Sequence, residues 1–146
     1  MAKVGRAAYA ASRARLEVVT ADKTINANES GELYAVDAGG ALAITLPDSP
    51  PNGARYKFMV IDDPGGAISV TSGAVGQPFQ GALIHVDSAD GTQNVIKADG
   101  TATDDDAITL NADTVQGSWI VCVYDADNTR WLLEGVILAE TAPAIA

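Results

Sequence analysis

Apolar residues recur at every second position through most of this chain, and hardly anywhere at the spacing of a helix. In LAITL (residues 42–46), Leu42, Ile44 and Leu46 alternate with Ala43 and Thr45, the signature of a half-buried strand. After a turn rich in proline (Pro47, Pro50, Pro51) and ending in Asn52-Gly53, Tyr56, Phe58 and Val60 point one way and Arg55 and Lys57 the other. Residues 42–63 therefore read as a β-hairpin with a wide polar loop. The same alternation predicts strands at 16–19, 24–25, 33–36, 67–71, 83–86, 94–97 and 107–110, each bounded by Gly, Asp or Asn turns. Phe79 lies in a looser stretch and is expected to be buried beneath a loop.

The most strongly patterned part comes last. WIVCVY (119–124) is a continuous apolar run, as expected of a strand buried on both faces, and WLLEGVIL (131–138) returns as its partner across an Asp-Ala-Asp-Asn turn. This pair reads as a second long hairpin, central in its sheet. The short echo between AITL at 43–46 and at 107–110 hints at two related halves. Nine to eleven short strands without helical periodicity predict an all-β, single-domain sandwich or barrel-like fold. The expected organisation is a basic N-terminal arm at 1–15, a β body at 16–138 and an extended tail at 139–146.

Composition sharpens this picture. With 47% hydrophobic but only 5% aromatic residues, the core consists mainly of Ala, Val, Ile and Leu. One domain of 146 residues is large enough to bury such a core. The net charge of −10 argues against general nucleic-acid binding, which needs Lys and Arg to neutralise phosphates. No run is long and apolar enough for a membrane helix, and the N-terminus lacks the apolar region of a secretory signal. The charge is unevenly spread. Residues 1–15 carry Lys3, Arg6, Arg13 and Arg15 and no acid, whereas the remainder has five basic residues against nineteen acidic ones. The arm, with Tyr9 and these four cations, is expected to order on an acidic partner or a neighbouring subunit. Two other readings of the segment are a frayed terminus with no role and, from its Ala- and Arg-rich, acid-free composition, a mitochondrial transit peptide.

Candidate chemistry is sparse. His85, the only histidine, is expected at the surface or on a strand face, without the partner a general base requires. Cys122 lies in an apolar strand, where a small core residue is expected and an activated thiol is not. Residues 104–106 (DDD), with Asp125, Asp127 and Asn128, offer oxygens to Ca²⁺, but their spacing is not that of an EF-hand loop, so they read as solvated turns. Trp119 and Trp131 are expected as core anchors rather than as a sugar platform. No catalytic, cofactor or metal site is expected.

The stretch AITLPDSPPNGARYKFMVIDDPGG, followed by AISVTSG and closed by NTRWLLEG, resembles small β modules of tailed-bacteriophage virion proteins. Leu46-Pro47, Gly53, Asp62-Asp63, Gly65 and Trp131 carry the resemblance. It implies a capsid decoration, or cement, protein on the outer capsid surface, made in the host cytoplasm. The implied partners are the major capsid protein and further copies of the chain, as a homotrimer. The same pattern also fits a tail- or head-fibre module that recognises a host-surface glycan. A carbohydrate-binding or other accessory domain of an enzyme is a third possibility.

Overall fold

A computed structural model describes residues 15–101 and 105–146. The fold is an all-β sandwich of two mixed sheets and is not a closed barrel. Among the described residues there is no α-helix. Among these residues a 3-10 turn at Ala27–Glu29 is the one helical element, and none of their helices is long and apolar enough to cross a membrane.

The chain first winds back and forth between the two layers. β1 (Leu16–Val19), β3 (Leu33–Val36) and β5 (Arg55–Val60) lie side by side and parallel in one sheet. The alternate strands β2 (Lys23–Thr24), β4 (Leu42–Thr45) and β6 (Ile68–Thr71) lie parallel in the other. Residues 16–71 thus form three turns of a flattened coil. β7 (Phe79–Asp87), β8 (Gln93–Asp99), β10 (Trp119–Asp125) and β11 (Arg130–Ala139) extend the first sheet. Its seven strands run β1-β3-β5-β10-β11-β7-β8. β9 (Ala107–Leu110) and β12 (Ala144–Ile145) complete a five-stranded sheet of order β12-β9-β6-β4-β2.

This topology corrects the expected hairpin at 42–63. β4 and β5 belong to different sheets, and residues 46–54 cross the sandwich between them. Alternation reports which face of a strand is apolar, and both strands do turn that face into the same core. It does not report the partner. The second hairpin is present, with Trp119 opposite Val136 and Asp125 opposite Arg130, and β10 is the middle strand of seven. The two AITL segments flank β6, one parallel to it and the other antiparallel, so they are not equivalent places in two repeated halves. Phe79 is buried, as expected, but it begins β7 instead of lying under a loop. The tail is tied to the body, because β12 pairs with β9 and the Ala146 carbonyl accepts bonds from Asp106 and Ala107.

The core between the sheets is continuous. Trp131 is its largest member and is fully buried against Tyr124 and Tyr56, with ring centroids 5.0 and 5.9 Å away. Tyr34 stacks on Phe58 at 5.3 Å. Gly81, with φ +147°, lets β7 pass close to β11: a Cβ there would run into the Leu133 carbonyl.

Candidate functional site: a second apolar face

The groups that could carry chemistry are engaged inside the fold. Of the two positions expected for it, surface or strand face, His85 takes the strand face, on the inner side of β7, where it is buried. Its Nε2 donates to the Ala139 carbonyl at 3.0 Å, while Nδ1 has no partner among the described residues. Cys122 is fully buried, and burial pushes its thiol pKa up to about 12. Very little reactive thiolate is then present near neutrality.

The acidic groups are similarly occupied. Asp125 accepts from Asn128 Nδ2 at 2.8 Å and from Arg130 Nε at 3.1 Å, and these partners hold its carboxyl below the ordinary aspartate value. Of the 104–106 run, Asp104 lies outside the described residues, and Asp105, expected in a solvated turn, is buried and accepts the backbone N–H groups of Asp99 and Gly100. Glu17, Glu29 and Glu32 bring three carboxylate oxygens within 4.8 Å of one another at the first turn of the coil. There the ammonium of Lys23 already supplies the counter-charge, 2.9 Å from Glu17 and 3.2 Å from Glu29.

Of the expected arm residues, Lys3, Arg6, Tyr9 and Arg13 lie outside the described residues. Arg15 is described. Its side chain is largely exposed and reaches Glu32 at 3.6 Å.

The feature that stands out is the outer face of the seven-stranded sheet. Paired residues on neighbouring strands point the same way, so the register can be followed straight across. One row reads Val18, Ala35, Met59, Trp119, Val136, Ile84 and Val95, one residue per strand and all apolar. The next row holds the charges: Leu16, Leu33, Lys57, Val121, Glu134, Ala82 and Lys97. Seven large apolar side chains are most exposed among the described residues, and five of them (Leu16, Val18, Ile84, Val95 and Leu132) lie on this face. Leu16 is 65% exposed and Val95 69%.

Ala35 and Val121 are buried on this side, apart from the core cluster. Trp119 also belongs here, half-buried with the Lys57 ammonium 5.1 Å from its ring centroid, which corrects its expected place in the core. Two depressions open on the same side, one beside Val123, Leu132 and Glu134, the other beside Leu33, Arg55 and Lys57.

Neither a family model, nor a curated protein, nor a solved structure matches this chain. The outer face is the feature of the described residues best suited to a function. The sequence held one signal of it, since WIVCVY is apolar at both odd and even positions. The row as a whole escaped sequence reasoning because its seven residues come from strands far apart in the chain.

Proposed function

We propose that this chain is a non-enzymatic virion protein that decorates the outer surface of a bacteriophage capsid as a homo-oligomer and reinforces it. The observation that carries this reading is the apolar row running across all seven strands on the side away from the core. Sheets with two apolar faces normally have both covered by protein, and contiguous exposed apolar surface marks an interaction site. Association between copies, not turnover, is the use to which such a surface is suited. The resemblance at Leu46-Pro47, Gly53, Asp62-Asp63, Gly65 and Trp131 supports the virion context. On a repetitive shell, modest contacts made by each copy add through multivalency. The basic residues Lys3, Arg6, Arg13 and Arg15 are proposed to reach an acidic shell surface or a neighbouring copy.

The test is the protein composition of purified particles from cells in which this chain is produced. The reading expects copies of the chain in numbers comparable to the major shell protein, together with faster loss of particles on heating when the chain is deleted. A handful of copies per particle would favour the fibre alternative, and absence from particles would overturn the reading.

A further inference from the structure

The geometry points to a second copy of this chain as the cover of the outer face, bound across a twofold axis that runs along β10. This deepens the proposal above and rests on it for the claim that the face is covered; what it adds is the occupant and the register. β10 is the fourth of seven strands, so an axis parallel to it lays every strand of one copy over a strand of the other. β5 then faces β11 of the partner, β3 faces β7, and β1 faces β8. Within the apolar row, Trp119 meets its own equivalent, Met59 meets Val136, and Val18 meets Val95.

The charges select the same register. Lys57 and Glu134 sit on either side of Val121 in one row, on strands two apart. At about 4.8 Å per strand their backbones are about 9.6 Å apart, and within one copy the Lys57 ammonium lies over the Trp119 ring instead of reaching Glu134. Overlaying β10 on β10 places Lys57 of each copy opposite Glu134 of the other, giving two symmetric ion pairs flanking an apolar centre. Sliding the copies by one strand would set Lys57 and Glu134 against apolar residues and lose both pairs, and that loss favours this register, in which Lys97 on the edge strand β8 lies against Leu16 of the other copy.

Size is sufficient. Seven strands about 4.8 Å apart, with outward positions repeating about every 6.7 Å along each strand, make a face on the order of 600 Å². Two such faces bury on the order of 1,200 Å² in total, above the roughly 1,000 Å² expected of a specific interface. The twofold pair takes the place of the trimer implied by the family resemblance.

Sedimentation equilibrium of the full chain at micromolar to tens of micromolar concentration tests the inference. The expected mass is that of two copies. Val95→Asp changes a side chain already 69% exposed within one copy, so it spares the fold while placing a charge against Val18 of the other. It should weaken pairing at least tenfold with an unchanged β-type circular dichroism spectrum. Glu134→Lys should weaken pairing several-fold, and Lys57→Glu combined with Glu134→Lys should restore it to within about threefold. A monomer at 100 µM, a mass of three copies, or a double variant no better than Glu134→Lys alone would each overturn the twofold register. None of these results would touch the particle-composition test, so this inference and the virion reading can fail separately.

Discussion

The two sheets of this sandwich solve the same problem in different ways. On the five-stranded sheet, Leu42, Ile44, Ile68, Val70, Ile108 and Leu110 face the core. The outward positions between them are Ala43, Thr45, Ser69, Thr71 and Thr109, small or hydroxylated residues suited to water. That is the ordinary pattern of a sheet with one wet face. On the seven-stranded sheet the inner positions are mostly apolar too, His85 apart, but the outward ones include Met59, Trp119, Val121, Val136 and Ile84. One architecture thus carries two kinds of outer surface. The core requirement explains only the inner half of each sheet, so the second apolar face answers to something beyond folding the single copy.

The largest difference between the two sheets lies at the core. Trp131→Ala, which removes a fully buried side chain from beneath the seven-stranded sheet, should cost about 3–5 kcal/mol in chemical denaturation. Thr109→Ala on the outer side of the five-stranded sheet should change stability by less than about 0.5 kcal/mol. A Trp131 variant as stable as the wild type would contradict the packing described here.

Alkaline pH sharpens the same contrast, because the buried ionisable groups lie under the seven-stranded sheet. Burial raises the pKa of Tyr34, that of Tyr56 to about 12, and that of Cys122 to about 12. The negative charge of Glu29 adds to the shift at both tyrosines. These groups bind their protons more tightly folded than unfolded, so their contribution is fully present below the unfolded values near 9 and 10. It is lost as pH rises toward 12. The denaturant midpoint should therefore fall steadily between pH 9 and pH 12, and Tyr56→Phe, which also loses the 3.3 Å bond from its hydroxyl to the Ala27 carbonyl, should flatten that fall. A midpoint independent of pH over this range would count against the burial of these groups.

A smaller effect belongs to the first turn of the coil. The Glu29 carboxylate accepts the Asn26 N–H at 2.6 Å and the Lys23 ammonium at 3.2 Å. The Asn26 bond, with Lys23 next, holds its pKa below the ordinary glutamate value. A depressed folded pKa stabilises above the unfolded value and ceases to do so as pH falls through the folded one. Glu29→Gln should cost about 1 kcal/mol at pH 7, a typical net hydrogen-bond contribution. The difference from wild type should shrink as pH falls through this lowered folded value. A gap that stays undiminished as acid is added would assign the effect to something other than the charge.

Much of the fold could be read from the pattern of residues. The strands at 33–36 and 107–110 lie where alternation puts them, and the 119–138 hairpin has the expected central place. Partnership was harder to read. β4 and β5 look like a hairpin because a turn-rich loop joins two apolar-alternating runs, yet each pairs with parallel neighbours from other turns of the coil. A strand face was among the positions expected for His85, but the residues Ile84 and Val86 beside it give no sign of which face the imidazole takes. The register puts it opposite Ile137, on the inner side. The outer face was only partly legible. Residues 119–124 announce burial on both sides, but Val18, Ala35, Ile84 and Val95 become neighbours of that strand only through sheet order.

The most direct test of the difference between the two outer faces applies one kind of change to both. Val136→Asp on the seven-stranded sheet and Thr109→Asp on the five-stranded sheet each add a carboxylate to an outward position midway along a strand. Sedimentation equilibrium of the two variants beside the wild type should show Val136→Asp as a monomer, and Thr109→Asp as associated as the wild type. Equal behaviour of the two variants, whether both associated or both monomeric, would contradict the claim that the seven-stranded sheet alone carries the assembly face.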